Sequence, residues 1–341
     1  MLEITLPPQL TSALAAHSTI RYWLRKTFTC DRCASTIEAY AYAVQDYLRF
    51  CAPHKINYVT AAQADLLAYL ADLKKRPVSK VVKGVVVHRT GLASATRRKY
   101  WTALQMYYRY LLEAGIRDTV PFAQHEQAPR NRHGNPRRGV VRVEKKLPWL
   151  PRQEEWHRFM TGMKEESLRN NLMVALSYEC ALRKNELCTL HVADIVGTTI
   201  TLRALNTKMK NDRRCSQFSS STRALLDHYL ATRPQASGHG SEVLFVSEST
   251  QNRGQPISDA TWRKVVDRVA ARADLLRFTP HTLRRLSINH FADQGYSSTR
   301  VTRHAGHGNE ESTKHYRQHM PEQLMVGLAR VLTQTAITNP Q

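Results

Sequence analysis

The chain has 341 residues, enough for two domains that each bury a core of their own. It carries 50 Lys and Arg against 28 Asp and Glu, a formal net charge of +22, and this charge is clustered, which indicates a polyanion partner. No apolar run has the length of a membrane span, and we expect no secretory signal. Six cysteines are too few for a disulfide framework in so long a chain, so we expect a reducing, cytoplasmic setting.

The N-terminal part of the chain has the pattern of a short arm followed by a helical domain. Residues 1–17 are too few for a domain and are predicted to be an ordered or frayed arm. From residue 18 to 127, apolar side chains recur at steps of three and four residues. This periodicity predicts amphipathic helices over about 36–51, 61–73 and 94–114, with Ser94 as the cap of the third.

Two segments of the chain are strongly basic. Residues 74–99 hold nine Lys or Arg and no acid, and the alternation at Val81–Val87 predicts a short hairpin or an extended loop. Residues 128–146 hold seven basic residues, one Glu and several Pro and Gly, so 128–147 is predicted to be a linker. The alternative for residues 74–99 is a disordered loop, and the alternative for residues 128–146 is a plain hinge. The residues that we expect to contact the phosphates of such a polyanion are Arg97, Arg98, Lys99, Arg130, Arg132, Arg137 and Arg138.

The second half of the chain mixes helical and extended patterns. Leu168–Leu182 is apolar on most sides, which predicts a buried helix. Residues 195–205 and 213–219 predict a β-hairpin, with Lys208 on its turn. The other predicted elements are a strand at 243–246 and helices at 221–232, 258–274, 280–294 and 297–304. The fold class is therefore expected to be mainly α with a small β-sheet, in a helical N-terminal domain and an α+β second domain.

The most specific pattern lies between His281 and Tyr316. His-x-x-Arg begins it, a Gly-His pair follows, and a tyrosine comes nine residues after that histidine. With two upstream basic residues, the set in chain order is Arg183, Lys208, His281, Arg284, His307 and Tyr316. Cleavage of a phosphodiester without a metal requires a nucleophile, positive charge on the phosphate oxygens and an acid for the leaving oxygen. These residue types supply all three.

The order and spacing of this set resemble the tyrosine recombinases, the family of phage integrases and chromosome-dimer resolvases, over about residues 18–331. The resemblance implies a helical core-binding domain at 18–127 and an α+β catalytic domain at 148–319. It also implies a C-terminal helix or tail at 320–341 that docks on a neighbouring protomer of a homotetramer, which holds two DNA duplexes. The expected partner is double-stranded DNA at a specific site, in the cytoplasm of a bacterium and associated with the nucleoid.

Each residue of the set has an expected role in this chemistry. Tyr316 attacks phosphorus, and the resemblance implies that this leaves a 3′-phosphotyrosine and a free 5′ hydroxyl without ATP. Arg183 and Arg284 clamp the phosphate oxygens, and Glu186 supports Arg183 by an ion pair. His307 donates a hydrogen bond to the phosphate. His281 either donates a similar hydrogen bond or accepts the tyrosyl proton, and Lys208 protonates the leaving 5′ oxygen. No cofactor and no metal are expected.

Several alternatives stay open at the level of single residues. Lys210 rivals Lys208, and His304 rivals His307 at the wrong distance from the tyrosine. Ala305 stands where relatives commonly have Leu before the Gly-His pair. Cys30 and Cys33 resemble half of a zinc site that lacks a second pair of ligands, and His315 with His319 could hold a metal on a helix.

At the level of function, we expect a recombinase of the integrase or transposase type that serves a mobile genetic element. The alternatives are a type IB topoisomerase-like enzyme that nicks and closes DNA, and a DNA-binding regulator with a vestigial site. The regulator would require a missing catalytic residue, whereas the whole set is present in the sequence.

Overall fold

The computed structural model describes residues 6–30, 33–82, 85–122, 141, 149–202, 214–235 and 242–306. Contacts divide the chain into two compact units, Met1–Lys146 and Leu147–Gln341. The described elements are mainly helices, with one two-stranded and one three-stranded sheet. The expected fold class is thereby confirmed, and the finer domain bounds stay predictions.

The described part of the first unit is helical apart from one ribbon. Its helices are α1 (Pro8–Leu14), α2 (Ser18–Thr29), α3 (Ala34–Cys51), α4 (Gln63–Lys75) and α5 (Ser94–Glu113). Aromatic side chains fill its centre, and Trp23, Tyr47 and Tyr107 are buried in one cluster with apolar residues of all five helices. The three helices predicted from periodicity correspond to α3, α4 and α5. Ser94 is the first residue of α5, not its cap, since Ala93 precedes the helix without a side-chain cap.

The N-terminal segment that was predicted to be an arm is part of this core. Residues 8–14 of it form α1, which begins at a proline, a residue preorganised for the first turn of a helix. Leu10 and Leu14 on α1 are 0% and 1% exposed. Burial of each leucine contributes about 1.5–3 kcal/mol. That contribution fixes the segment on the first unit.

The basic segment that follows α4 forms a two-stranded antiparallel ribbon. Strands β1 (Pro77–Val82) and β2 (Val85–Thr90) pair in a register that runs from Pro77 opposite Thr90 to Val82 opposite Val85. At its base, Arg76 forms ion pairs with Asp46 and Asp72. The hairpin alternative of the sequence prediction is therefore the observed one, and it projects from an anchored base.

The described part of the second unit packs helices around a small sheet. Its helices are α6 (Gln153–Met163), α7 (Leu168–Glu179), α8 (Lys184–Cys188), α9 (Ser220–Thr232), α10 (Asp259–Arg272), α11 (Pro280–Asp293) and α12 (Ser298–Ala305). Phe159 of α6 stacks on Phe278, with ring centroids 3.9 Å apart, and α7 is buried on nearly every side. The predicted helices of this half are confirmed to within a few residues.

The sheet of the second unit contains strands β3 (Ile195–Val196), β4 (Thr199–Leu202) and β5 (Arg214–Gln217), in that spatial order. The predicted hairpin is the pairing of β4 with β5, in which Leu202 lies opposite Arg214. The first predicted strand, 195–205, is interrupted at Gly197, whose φ of +58° turns the chain between β3 and β4. Along β5, Arg214 and Ser216 are buried and alternate with exposed residues.

The strand predicted at 243–246 is wrong. Val243 and Val246 form only isolated bridges, to His191 and Pro256. Leu244 is buried in the hydrophobic core of the second unit. The apolar residues of this run are therefore there because the segment is buried. From a short apolar sequence alone, a buried segment cannot be distinguished from a paired strand.

Candidate functional site

Three of the six residues in the predicted catalytic set fall in the part of the chain that the structure describes. They are Arg183 at the start of α8, and His281 and Arg284 on α11. The other three, Lys208, His307 and Tyr316, lie outside the described residues. So do Lys210, the alternative to Lys208, and the possible metal ligands His315 and His319.

Arg183 is positioned by the short helix that follows it. It is the N-cap residue of α8, and its backbone N–H donates to Glu186 Oε2 at 2.8 Å. Its guanidinium Nη1 donates to Glu186 Oε1 at 2.5 Å. The Glu186 side chain is 0% exposed, whereas that of Arg183 is 25% exposed. The expected ion pair is present, and it holds a partly accessible guanidinium against a buried carboxylate.

Arg284 is held by two backbone carbonyls. The residue is 1% exposed, and its two Nη groups donate to the oxygens of Ala181 and Ala305. Ala181 follows α7 with a φ of +48°, a left-handed conformation that is rare for a residue with a side chain. Ala305 is the last residue of α12. Arg284 therefore joins the ends of α7 and α12.

A third arginine enters the same cluster, and the sequence analysis did not predict it. Arg214 at the start of β5 is 6% exposed, and its Nη1 donates to Ala305 O at 3.1 Å and lies 3.5 Å from Glu186 Oε2. Its Nη2 donates to Cys180 O. The only sequence signal for it is its place in the alternation of a half-buried strand. Desolvation by burial lowers the pKa of the Arg214 guanidinium, and Glu186 opposes this.

Gly306 closes the cluster from the α12 side. It is the left-handed C-cap of α12, with φ +57° and ψ +46°, and its carbonyl accepts from Arg183 Nη2 at 2.5 Å. A Cβ at this position would lie 2.8 Å from Arg214 Cδ and 3.0 Å from its Nη1. The glycine of the Gly-His pair is therefore required both by its backbone conformation and by the close approach of two arginines.

His281 lies on the first turn of α11, one turn before Arg284. The residue is exposed to solvent, yet desolvation by the surrounding protein, followed by the guanidinium groups of Arg285, Arg284 and Arg183, lowers its pKa to about 4. The side chain is therefore neutral at pH 7 and offers one donor and one acceptor.

His304, the alternative to His307, is part of the packing between α11 and α12. Its ring stacks on Phe291 at 3.9 Å, and its Nε2 is hydrogen-bonded to Ser287 Oγ at 3.1 Å. Burial, followed by the charges of Arg214 and Arg284, lowers its pKa to about 3. This neutral histidine braces the helix end whose carbonyls the arginines bind. Ala305, where relatives commonly have Leu, is fully buried in the same small cluster as Ala181.

The arrangement brings three guanidinium groups together around one buried carboxylate and one backbone carbonyl. Arg183 and Arg214 share the carboxylate of Glu186, and Arg214 and Arg284 share the carbonyl of Ala305. Buried charges that are not balanced locally favour an anion of opposite sign, and planar guanidinium groups match phosphate oxygens in particular. The cluster is therefore suited to bind a phosphate group.

The predicted DNA-contacting residues fall in the first unit. Arg98 and Lys99 are exposed on the first turns of α5, while Arg97 beside them is half-buried. Within the described residues, no acidic side chain forms an ion pair with Arg98 or Lys99. The linker residues of this prediction lie outside the described ranges: Arg130, Arg132, Arg137 and Arg138.

Metal-binding patterns and membrane spans are absent from the described ranges. No cluster of three or more His, Cys, Asp or Glu side chains occurs there, and no described helix combines the length and apolar character of a membrane span. Cys30 and Cys33 are exposed free thiols. Hydrogen bonds with the hydroxyls of Ser35 and Thr36 lower the pKa of Cys33 to about 7.

Comparison with known proteins identifies relatives along most of the chain. Tyrosine recombinase XerC of Corynebacterium glutamicum is 30% identical over 152 residues, which is 45% of this chain and about half, 47%, of that relative. Tyrosine recombinase XerC of Herpetosiphon aurantiacus is 24% identical over 284 residues, 83% of this chain and 84% of the relative.

Two solved structures share the fold. The Tn1549 transposon integrase in complex with transposon right end DNA superposes with a TM-score of 0.64 at 14% identity, over 92% of this chain and 99% of that one. The XerH site-specific recombinase bound to difH substrate gives a TM-score of 0.59 at 18% identity, over 86% and 78% of the two chains. The family model of the Phage integrase family matches residues 151–323, half of the chain. The chain therefore belongs to the phage integrase family, the tyrosine recombinases, which are enzymes of site-specific DNA recombination.

Proposed function

We propose that this recombinase cleaves and rejoins DNA strands through a covalent 3′-phosphotyrosine formed by Tyr316. The observation that carries the proposal is the convergence of Arg183 and Arg284 at the C-terminal end of α12, ten residues before that tyrosine in the sequence. Each guanidinium has five N–H donors. The carbonyls of Ala181 and Ala305 accept from Arg284 and fix the plane of its guanidinium.

The proposed reaction proceeds in balanced steps. The Tyr316 oxygen attacks phosphorus, the bond from phosphorus to the 5′ oxygen breaks, and Lys208 gives that oxygen a proton. His281, which is neutral at pH 7, accepts the tyrosyl proton. Arg183, Arg284 and His307 stabilise the charge that develops on the non-bridging oxygens. A 5′ hydroxyl of another strand reverses these steps, so that the strand is rejoined without ATP.

We propose a homotetramer on two DNA duplexes as the active assembly. In it, the basic ribbon, the start of α5 and the segment 128–146 follow the phosphate backbone, and residues 320–341 dock on a neighbouring protomer. The excess of positive charge supports DNA as the partner. No metal is required, because guanidinium groups take the role of charge stabilisation that a metal would otherwise have.

The biological setting has two candidates. Integration or transposition of a mobile genetic element is the first. The second is recombination at a chromosomal site, which is favoured by the names of the curated relatives that align over more than four fifths of this chain. A target next to the gene for this protein would support the mobile element, and a target at a distant chromosomal locus would support the second candidate.

The test is to map covalent adducts on DNA. The protein is incubated with nicked duplexes that tile the flanks of its own gene and with sheared chromosomal DNA, in excess chelator, and protein-linked 3′ ends are sequenced after denaturation. We expect adducts at one sequence, and Tyr316→Phe should bind the same DNA without forming them. Adducts from the Phe variant would overturn the assignment of Tyr316, and a requirement for added Mg²⁺ would overturn the metal-free mechanism.

A further inference from the structure

Arg214 is a buried charged residue of the second unit to which the proposed reaction gives no role. Its side chain is 5% exposed, and its Nη groups contact Cys180 O, Glu186 Oε2 and Ala305 O. One guanidinium thus links the end of α7, the first turn of α8 and the end of α12. Its Nε is also buried, and no acceptor among the described residues bonds to it.

The contacts of Arg214 interleave with those of the two proposed catalytic arginines. Glu186 is shared by Arg183 and Arg214, and Ala305 O is shared by Arg284 and Arg214. Removal of Arg214 would therefore leave the carboxylate and the carbonyl each with one donor fewer. Because each shared acceptor also fixes the plane of a second guanidinium, a loss at Arg214 would reach both neighbours.

The charge of this cluster is hard to explain by stability alone. Two guanidinium groups, those of Arg183 and Arg214, share the one carboxylate of Glu186, so positive charge is in excess around it. Desolvation lowers the pKa of Arg214, so its burial disfavours the charged form. Apolar residues of similar volume commonly match or exceed the stability of a buried ion pair. This excess of positive charge is balanced when a phosphodiester binds, and more fully when the bound phosphodiester reaches its more negative transition state.

We propose that Arg214 is a positioning residue for strand cleavage. It holds Glu186 and the end of α12 so that the guanidinium groups of Arg183 and Arg284 keep their orientation for the scissile phosphate, and it adds a third positive charge behind them. Arg214 is also the first residue of β5 and follows the proposed acid, Lys208, by six residues in the sequence. This inference rests on the proposed function.

The test compares Arg214 with a matched arginine in the same unit. Arg169 on α7 is also 6% exposed, and it donates to Val246 O and Asn170 Oδ1, at contacts not shared with the arginine cluster. The variants are Arg214→Lys, Arg214→Met, Arg169→Lys and Arg169→Met. For each, the single-turnover rate of adduct formation at saturating nicked target duplex, the Kd for that duplex and the Tm are measured.

We expect Arg214→Met to slow adduct formation about 100-fold and Arg214→Lys about 10-fold, with Kd within about threefold of the wild type. Lysine keeps the charge but cannot make the three directed contacts, so partial rescue is expected. The Arg169 variants should lower Tm at least as much and keep the rate within about threefold. Adding Glu186→Gln to Arg214→Met should slow the reaction by much less than the product of the single effects, because the two groups act as one unit.

Each outcome decides between the alternatives. Arg214 would be a purely structural residue if its variants slowed adduct formation no more than the matched Arg169 variants do. The same conclusion would follow if the effects of Arg214→Met and Glu186→Gln multiplied. If Arg214→Met fails to fold, the lysine variant and its Arg169 match decide. The failure of the wild-type protein to form any adduct would overturn the proposed function itself, which distinguishes the two results.

Discussion

At the scale of single residues, Gly306 has two separate reasons to be glycine, and they can be measured apart. Its φ of +57° costs alanine about 1–2 kcal/mol. A Cβ would also press on the Arg214 side chain from 2.8 Å. We expect Gly306→Ala to lower the free energy of unfolding by about 2–4 kcal/mol and to abolish adduct formation, as measured by urea unfolding and the nicked-duplex assay.

Gly295 provides the matched control for this substitution. It has a φ of +77° at the end of α11, and nothing lies within 4 Å of the position of its Cβ. Gly295→Ala should therefore cost only the conformational part, about 1–2 kcal/mol, with the cleavage rate unchanged. Equal losses in the two variants would show that the approach of Arg214 contributes nothing.

His304 makes the stability of the second unit depend on pH. Its pKa is lowered to about 3 in the folded protein from an ordinary 6.5, so the unfolded chain binds more protons between these values. Stability is then full above about pH 6.5 and is lost as pH falls toward 3. Between pH 7 and pH 5 we expect a loss of about 1–2 kcal/mol from this group.

The glutamine variant tests this assignment. His304→Gln keeps a polar group toward Ser287 and removes the titration, so its unfolding free energy should vary less between pH 7 and pH 5 than that of the wild type. His157→Gln, on an exposed position of α6, is the control and should keep the wild-type profile. Parallel profiles for wild type and His304→Gln would contradict the assignment.

At the scale of elements, the start of α5 is a candidate for phosphate contact. Arg98 and Lys99 are exposed without described acidic partners, whereas Lys26 pairs with Glu113 at the other end of α5. Each neutralised phosphate contributes about 0.9 to the slope of log affinity against log salt. We expect the double variant Arg98→Gln and Lys99→Gln to flatten this slope by about 1.8, and Lys26→Gln to leave it unchanged. An unchanged slope for the double variant would remove α5 from the interface.

The helices could be predicted from sequence because their apolar faces repeat over many residues. The strand at 243–246 could not, because four apolar residues are compatible with a buried loop as well as with a strand. The split of β3 from β4 depends on the turn at Gly197. An isolated glycine in an apolar run marks such a turn only weakly.

The arginine cluster was only half predictable for a related reason. Spacing along one helix predicted the pair of Arg183 and Glu186, because three residues bring two side chains to the same face. Arg214 meets Ala305 from 91 residues away, and its burial became visible only with the fold. Two of its three acceptors are the backbone carbonyls of Cys180 and Ala305, which carry no residue-type signal.

At the scale of the whole molecule, the remaining prediction concerns assembly. In the sequence after Tyr316, Leu324, Leu328 and Val331 recur at helical spacing, and we predict that this segment docks on a second protomer. Such a contact would be heterologous and would close a ring. Truncation after His319 should leave binding to half of a site intact and abolish the paired complex, as measured by band shifts and sizing. Normal tetramers from the truncated protein would show that the tail packs on its own unit.

The arginine cluster also sets a time at which the enzyme can become active during synthesis. Arg183 donates to a carbonyl that lies 123 residues further along the chain, and Arg284 and Arg214 both require the carbonyl of Ala305. Until residues 305 and 306 have left the ribosome, each of the three arginines lacks one of its acceptors. Because domains form as the chain emerges, the first unit can fold and find DNA before the second has a site that can cut it. The first unit is thus available for DNA binding before the catalytic site of the second unit is complete.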